Sequence, residues 1–454
     1  MNVNWQGKKK LCTWRVLDGR ARMALLWATA ASSLPSAAAL RCALAAGGKH
    51  ADRLLSDLRG ASANDPSAAD RLIRKFLAAS SKSAALNALS SFLSLSSPVA
   101  LPVSPRSPLS PLPPLTWKPK LAAGVVALLE KQGRCAEAET LTLDAVSRSK
   151  THRDLALFYC DLIESFSEQG LVQPVLETYA RLREVPFAGR RPYESMIKAL
   201  CLMGMPGEAE AKLKEMASSG CKPSAFEFRS VIQSYGRSGL FSEMRRVVGS
   251  MEDAGLPIDT VCVNVVLSCY GHHGELPEMA SWMRKMRERG IGLSIRTFNC
   301  VLNSCPRVVS IASDAGSLPL SMEELLQKLE NESSSRTEAL LVQELTSSSV
   351  VAGILEWSSS GSKLDLHGLH VAASYIILLK WMQELRRRFR EEDVIPLEIS
   401  VICGSGKHSE RRGRSPIKEL VSEMMFRTSS PMRIDTKNHG RFAARGKAVR
   451  EWMC

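Results

Sequence analysis

The sequence predicts a mostly α-helical protein, in which an α-solenoid of helix-turn-helix repeats is followed by a small α/β sandwich domain. Three observations support this fold class. A pattern recurs at a spacing of 35 residues in the middle of the chain, strand and helix patterns alternate over residues 361–454, and Lys plus Arg outnumber Asp plus Glu by 60 to 46. With 454 residues, 45% of them hydrophobic, the chain can bury the cores of two or three domains.

The composition also restricts the partners of the protein. Its formal net charge of +14 favours a polyanion, and nucleic acid before a membrane surface. No run reaches the roughly 18 apolar residues that cross a bilayer, so we expect no transmembrane helix and no membrane partner. The 12 cysteines include no CxxC pair, which favours reduced and mostly buried thiols.

Residues 1–60 are predicted to be an N-terminal extension that contains a transit peptide. From Met23 to Ala51 there is no Asp or Glu, while Ala, Ser and Leu dominate. This composition is typical of an organelle presequence, and its low Arg content favours a chloroplast, with a mitochondrion as the alternative. A secretory signal is a weaker alternative because the apolar core is interrupted. Since residues 1–22 fit neither presequence class, we expect translation to start at Met23.

Two segments precede the repeats. Residues 66–97 carry apolar side chains at helical spacing and predict a helical segment. Residues 98–117, which include "SSPVALPVSPRSPLSPLPPL", are rich in Pro and Ser and predict an extended linker.

The repeat region spans residues 119–305. Met216, Met251 and Met286 lie 35 residues apart, and each is followed four residues later by glycine. Upstream, "YESMIKAL", "FRSVIQSY" and "VNVVLSCY" align at the same spacing. Each unit therefore predicts an apolar helix, a glycine turn, a second amphipathic helix and a glycine C-cap, a pair of helices that must stack on its neighbours. The units are 156–189, 190–224, 225–259 and 260–294, with a weaker one near Pro119 and a truncated one at Ile295.

These units resemble the pentatricopeptide repeat (PPR) family, above all in "FEFRSVIQSYGRSGLFSEMRRVVGSMEDAGLPID" and "VNVVLSCYGHHGELPEMASWMRKMRERG". The resemblance implies binding of single-stranded RNA, one base per repeat, through one side chain in the first helix and one at the end of the repeat. By position, the implied pairs are Cys160 with Gly189, Glu194 with Ser224, Arg229 with Asp259, and Asn264 with Ser294.

Asn264 with Ser294 matches the usual base-reading pattern of the family and suggests a pyrimidine, whereas the other three pairs depart from it. A protein-binding scaffold, with partners among plastid gene-expression proteins, therefore stays open as the alternative. The cysteines and histidines of the repeats match no zinc-ligand spacing, which favours buried packing thiols.

Residues 306–360 lose the period, and Ser-rich stretches flank two helical patterns. They predict a loosely packed helical connector between two modules. In the C-terminal module, residues 361–454, we expect a strand in "KLDLHGLH", a long helix, a strand in "PLEISVIC", a basic loop, a second helix from "SPIKELVSEMMF", and final strands in "PMRIDTKNHG" and "GKAVREWM".

The C-terminal module resembles the small MutS-related (Smr) domain in "LDLHG", "ICGSGKHS" and the order of its elements. Together the two resemblances imply a plant organellar protein that acts in RNA processing or expression. The Smr resemblance implies a nuclease site, or a site that only binds nucleic acid, and the two possibilities stay open. Its implied catalytic residues are Asp365 and His367, and its implied nucleic-acid contacts are Gly404, Gly406, Lys407 and His408. Arg411, Arg412 and Arg414 lie in the same loop, and its basic composition predicts a phosphate-binding patch.

The chemistry of these side chains fits phosphodiester cleavage. Asp365 and His367 are two residues apart on the predicted strand and are therefore expected to face the same side. The carboxylate could then orient the imidazole or bind a divalent metal, Mg²⁺ or Mn²⁺, although the sequence makes no cofactor certain. Glycines 404 and 406 allow a phosphate to approach the backbone, and the basic loop supplies positive charge. Cys403 stands where the family usually has Thr.

Overall fold

The structure is a computed structural model, and it describes residues 54, 57, 66–79, 82–94, 118–187, 189–314, 316, 318–332, 335–347, 355–358, 361–391, 395–404 and 415–453. The chain divides into two compact units, residues 1–222 and residues 223–454. The predicted transit peptide and Pro-rich linker lie outside the described residues, apart from positions 54 and 57. Within the described ranges, no helix is both long and apolar enough to cross a lipid bilayer.

The described residues of the first unit are mainly helical. Its helices are α1 (Pro66–Ala79), α2 (Lys82–Ser94), α3 (Pro119–Lys131), α4 (Cys135–Arg148), α5 (His152–Glu168), α6 (Val172–Glu184), α7 (Arg191–Leu202) and α8 (Pro206–Ser218). From α3 onward, consecutive helices pack as hairpins, and the first helix of each hairpin also packs on the first helix of the next. Helix α2 continues this stack at its start, because a Cβ placed on Gly124 of α3 would lie 3.0 Å from Cδ1 of Leu93.

One carboxylate joins two successive hairpins of this unit. Glu164 on α5 accepts hydrogen bonds from Arg191 Nη2 (2.6 Å), Ser195 Oγ (2.9 Å) and Lys198 Nζ (2.7 Å) on α7. Burial alone would raise the pKa of Glu164, but the hydrogen bond and charge of Lys198, with Arg191 and Ser195, hold it below its ordinary value. The contact between α5 and α7 is therefore ionic as well as apolar.

The second unit begins with more repeats. Its helices are α9 (Ala225–Arg237), α10 (Phe241–Asp253), α11 (Thr260–His272), α12 (Leu276–Glu288), α13 (Ile295–Asn303), α14 (Pro306–Ser313), α15 (Met322–Glu330) and α16 (Arg336–Thr346). The recurrent methionines that marked the period, such as Met251 and Met286, are fully buried. The turn between α9 and α10 contains Gly239 at φ +72°, a left-handed conformation that glycine adopts without strain.

Side chains that precede the first helix of each repeat cap it. Ser224 forms a capping box with Glu227 at the start of α9, Asp259 accepts from Cys262 N at the start of α11, and Ser294 caps α13. Such caps typically contribute about 1 kcal/mol each. The residues at the ends of the predicted units therefore also define where the following helices begin.

The prediction of a loosely packed connector is wrong for its described residues. Leu325, Leu329, Leu341 and Leu345 of α15 and α16 are fully buried. Buried Glu338 on α16 accepts hydrogen bonds from the Arg307 and Val308 amides (3.2 and 2.9 Å) at the start of α14. Apolar spacing within short helices provided this core, although the Ser-rich flanks suggested otherwise.

The C-terminal module contains a five-stranded sheet of order β1-β2-β3-β5-β4. Its elements are β1 (Leu355–Trp357), β2 (Gly361–Asp365), α17 (Val371–Glu391), β3 (Glu398–Ile402), α18 (Pro416–Arg427), β4 (Arg433–Ile434), β5 (Arg441–Arg445) and α19 (Gly446–Met453). Strands β2 and β3 are parallel, with Asp365 paired to Ile402, and the other neighbouring strands are antiparallel.

Three details of this module differ from the prediction. Strand β1 lies in the predicted connector, strand β5 lies between the two predicted final strands, and "GKAVREWM" forms helix α19 instead of a strand. Val449 and Met453, four residues apart, are buried, as one face of a helix requires. Gly446 at the junction admits no side chain, since a Cβ there would lie 1.8 Å from the Pro396 carbonyl oxygen.

Candidate nucleic-acid interface

The first predicted base-reading pair of the second unit is closed by an ion pair. Arg229 Nη1 on α9 lies 3.1 Å from Asp259 Oδ2, and Asp259 Oδ1 accepts from the Cys262 amide at 2.8 Å. Asp259 thus serves as a helix cap and as the partner of Arg229. A base that hydrogen-bonds to Arg229 would have to displace the Asp259 carboxylate from its guanidinium group.

The second pair, Asn264 with Ser294, is joined by hydrogen bonds within the protein. Asn264 Nδ2 donates to Ser294 Oγ at 3.3 Å, and Asn264 Oδ1 accepts from Thr297 Oγ1 at 2.8 Å. The Asn264 side chain is buried, and both ends of its amide have a partner. The pair that best fits the family pattern is therefore hydrogen-bonded within the protein, and its role in reading a base stays a prediction.

The other predicted pairs offer less to a base. The Cys160 thiol is fully buried, and burial raises its pKa to about 11. Gly189 has no side chain beyond its hydrogen, and Glu194 is paired with Arg190. Ser224, in the second unit, donates through Oγ to Glu227 Oε2 at 2.7 Å. In this conformation Cys160 presents no group to RNA, because it faces the core of the helix stack.

Exposed apolar side chains occur three residues before the first member in three of the four pairs, and they were not predicted from the sequence. Leu157, Phe226 and Val261 are 36%, 58% and 52% exposed, at equivalent positions of their repeats. Apolar and aromatic side chains on a nucleic-acid surface can pack against base faces. The signal was present in the period, since Phe226 and Val261 are 35 residues apart, but exposure was not visible from the sequence.

The Smr-like residues meet at the carboxyl ends of β2 and β3. Asp365 is the last residue of β2, and Nδ1 of His367 lies 3.8 Å from Asp365 Oδ1. The Asp365 side chain is 41% exposed and the His367 side chain 72%. The expectation that both lie on one strand is wrong: His367 follows the strand, and its amide donates to Asp365 Oδ1 at 2.9 Å. A turn closed by the aspartate, and not strand alternation, brings the imidazole to the carboxylate.

The second motif contributes Gly404 to the same place. Gly404 has φ +78°, and a Cβ there would lie 3.4 Å from Cε1 of His367. Gly406, Lys407, His408, Arg411, Arg412 and Arg414 lie outside the described residues. Cys403 is buried, its pKa is raised by burial to about 12, and its amide donates to the Gly440 carbonyl at 2.8 Å. Cys403 thus occupies the core end of the loop as a small apolar residue.

The residues at this edge provide a limited donor set for a metal. Asp365 is one carboxylate, its Oδ1 accepts from the His367 amide, and Lys363 Nζ lies 3.8 Å from its Oδ2. Across the described ranges, no three His, Cys, Asp or Glu side chains cluster so as to hold an ion. A Mg²⁺ or Mn²⁺ ion here would take most ligands from water and phosphate, and Asp365 as a metal ligand stays a prediction.

Comparison with known proteins identifies the class. Residues 192–221, 228–256 and 261–291 match the PPR repeat. The chain is 50% identical over 419 residues to the pentatricopeptide repeat-containing protein At2g17033 of Arabidopsis thaliana, covering 89% of this chain and 82% of that protein. The chain therefore belongs to the pentatricopeptide repeat family.

Solved structures of the maize pentatricopeptide repeat protein PPR10 are similar at lower identity. The free protein matches with 15% identity and a TM-score of 0.33, over 90% of this chain and 66% of that one. PPR10 in complex with an 18-nt psaJ RNA element matches with 17% identity and a TM-score of 0.36, over 89% and 61%. The present chain thus spans less than two thirds of the length of either PPR10 structure.

Proposed function

We propose that this protein binds single-stranded RNA in a plant organelle and acts in RNA processing, maturation or expression. The observation that carries the proposal is the repeated surface pattern of the second unit, in which an exposed apolar residue precedes a polar pair by three residues. Phe226 with Arg229 and Val261 with Asn264 both show it. Apolar contact to a base face and hydrogen bonds to its edge are the two requirements of single-strand recognition. Family membership and the net charge of +14 support the same function.

Binding of a single-stranded RNA pool to the full chain at increasing salt tests this proposal. We expect the logarithm of the affinity to fall linearly with the logarithm of salt concentration. The slope should be about −0.7 for each phosphate contacted. Phe226→Ala should weaken binding about tenfold, because a stacking contact contributes about 1–3 kcal/mol. Leu240→Ala, at an exposed apolar residue in a turn, is the matched control. If neither the salt concentration nor Phe226→Ala changes the affinity, the proposal is wrong.

The C-terminal module is proposed to be an Smr domain that binds or cleaves the RNA at the edge formed by Asp365, His367 and Gly404. In cleavage, the His367 imidazole would accept the proton of the attacking hydroxyl as that oxygen bonds to phosphorus, the bond from phosphorus to the leaving oxygen would break, and the leaving oxygen would take a proton from the imidazolium or from water. Asp365 would orient the ring and stabilise its charged form. Gly404 has no side chain that would keep a phosphate from its backbone.

A double variant separates binding from cleavage. Asp365→Ala with His367→Ala should abolish cleavage of an end-labelled RNA and leave its affinity within about twofold, since the repeats carry most contacts. Glu451→Ala, which removes an exposed carboxylate of α19, is the control. Cleavage that survives the double variant would remove these residues from the site, and a wild-type chain that binds without cutting would leave the module a binding domain.

A protein-interaction scaffold in plastid gene expression is the second candidate, and the internal pairing of the base-reading residues favours it. Arg229 with Asp259 and Asn264 with Ser294 are satisfied without RNA. Affinity purification from the organelle, with and without RNase, distinguishes the two functions. Protein partners that survive RNase and an absence of bound RNA would support the scaffold.

The proposed location is the chloroplast, with the mitochondrion as the alternative. The acid-poor segment from Met23 to Ala51 supports it. Import of the full chain fused to a fluorescent protein into isolated chloroplasts and mitochondria tests the assignment, and uptake by mitochondria alone would reverse it.

A further inference from the structure

Asn299 on α13 occupies the position that follows Asn264 in the register of the repeats. The two residues are 35 apart, as are Arg229 and Asn264. By register, Asn299 would therefore be the base-reading side chain of the truncated last unit. It is part of the second unit, together with the whole C-terminal module.

The Asn299 amide is engaged at both ends by one turn of the C-terminal module. Its Nδ2 donates to the Gly368 carbonyl at 2.7 Å, and its Oδ1 accepts from the His370 amide at 2.8 Å. A carbonyl and an N–H side by side present the same acceptor and donor pattern that an asparagine amide reads on a base edge. The backbone of residues 368–370 thus takes the place of a base.

A second contact lies one helical turn further along α13. Asn303 Nδ2 lies 2.5 Å from His370 Nδ1, and residues four apart lie on the same helix face. Ile295 Cγ2 is 4.0 Å from a Cβ placed on Gly368, so the turn also lies against the start of α13. Three residues of one helix therefore surround the turn.

The same turn carries His367. On its other side, the His367 amide donates to Asp365 Oδ1 at 2.9 Å, and Leu366 and Leu369 are buried. The segment 366–370 is therefore fixed to the sheet at one end and to the last repeat helix at the other. The exposed imidazole lies between these two attachments.

We infer that Asn299 is a positioning residue: it fixes the His367-bearing turn to the last repeat, and the protein backbone occupies the base-reading position of that unit. The base-reading positions of the array then end at Asn264 with Ser294, and RNA leaves the repeats next to the Asp365 and His367 edge. The part of this inference that concerns RNA rests on the proposed function, whereas the attachment of the turn does not.

Hydrogen exchange of the full chain tests the attachment without RNA. In Asn299→Ala, we expect the peptide that contains residues 366–370 to exchange about ten- to a hundredfold faster, because two hydrogen bonds are lost. Peptides from α11 and α12 should keep wild-type rates. Arg296→Ala, an exposed position on the same helix, is the control and should change nothing in the turn.

Asn299→Asp is the second variant, for the case in which the alanine variant does not fold. It keeps the acceptor for the His370 amide and places a carboxylate oxygen where Nδ2 donates to the Gly368 carbonyl, so the turn should exchange faster than in wild type. Unchanged exchange at 366–370 in a folded variant, or a uniform increase throughout residues 223–454, overturns the inference.

RNA supplies an independent measurement. If the wild-type chain cuts RNA, Asn299→Ala should lower kcat about a hundredfold, as expected for a misplaced imidazole, and leave KM unchanged. A fall in affinity without a change in kcat would contradict the positioning role. If the wild-type chain binds no RNA, the proposed function fails, and hydrogen exchange still decides the attachment.

Discussion

At the scale of single residues, the close approach of α9 and α11 depends on one glycine. A Cβ on Gly236 would lie 2.3 Å from Cys269 Sγ and 2.8 Å from Met244 Sδ. A Cβ placed on Gly249 of α10 would meet no neighbouring side chain within 4 Å. The close contact between helices therefore requires glycine at position 236 but not at position 249.

We predict that Gly236→Ala lowers the free energy of unfolding by about 1–3 kcal/mol, since overpacking outweighs the gain in helix propensity. Gly249→Ala should raise it by about 0.5–1 kcal/mol. Urea unfolding of both variants checks the pair, and equal effects would show that the interhelical contact is not tight.

Residue-level prediction from the sequence succeeded where the signal was local. The turn glycines follow from the period, because a left-handed turn favours glycine wherever the repeat closes. The attachment of Asn299 to Gly368 and His370 could not be predicted, because it joins residues about 70 positions apart with no shared pattern. The position of His367 depended on an aspartate-closed turn that sequence alternation does not distinguish from a strand.

At the scale of elements, the start of α14 depends on a side chain from α16. Glu338 is buried and accepts from the Arg307 and Val308 amides. Burial raises the pKa of Glu338, while these two amides and the charge of Arg307 act in the opposite direction.

Glu338→Ala should therefore destabilise the second unit by about 1–3 kcal/mol, because one buried and one partly buried amide donor lose their acceptor. Glu330→Ala, at an exposed position of α15, should change stability by less than about 0.5 kcal/mol. Thermal unfolding followed by circular dichroism measures both. A Glu338→Ala variant as stable as Glu330→Ala would mean that water replaces the carboxylate.

Helix α17 carries a pH-dependent pair of contacts. The hydrogen bond from Arg387, with a further one from Arg388, holds the pKa of Glu384 down to about 2. A carboxyl group whose pKa is lower in the folded state stabilises that state above its unfolded pKa of about 4.5, and this contribution is lost as pH falls through the folded value.

We expect Glu384→Gln to lower the Tm at pH 7, and the difference from wild type to shrink as pH decreases from about 4.5 towards 2. Differential scanning calorimetry at a series of pH values provides the measurement. A difference that is independent of pH would show that the loss comes from packing alone.

The elements that were predicted wrongly share a cause. "GKAVREWM" has apolar residues at helical spacing, but it was predicted to be the second strand of a hairpin. Strand β1 follows a Ser-rich segment and pairs with β2 only in the folded chain. Short elements depend on tertiary partners, which local patterns do not record.

At the scale of the whole molecule, the second unit links repeats and sheet domain through α16. This helix packs against α12 of the repeats and against α17 of the C-terminal module. Leu341 on α16 is fully buried. The order of the modules along the sequence was predictable. The packing of the connector helices against both modules was not, because the Ser-rich flanks of α15 and α16 indicated a loosely packed segment.

Leu341→Ala should cost about 2–5 kcal/mol and should lower amide protection in α12 and α17 together. Hydrogen exchange with mass spectrometry resolves the two helices. Loss of protection in one helix only would show that repeats and sheet domain unfold independently.

The contact of Thr297 with Asn264 has a thermodynamic consequence. The Thr297 hydroxyl donates to Asn264 Oδ1 and also accepts from the Ser294 amide at the start of α13. A base that takes the Asn264 oxygen displaces this hydroxyl, and the first turn of α13 then holds one hydrogen bond fewer. A base bound at Asn264 is therefore expected to make the start of α13 less ordered, and a well-ordered start of α13 to disfavour such a base. Asn299 lies on that same helix.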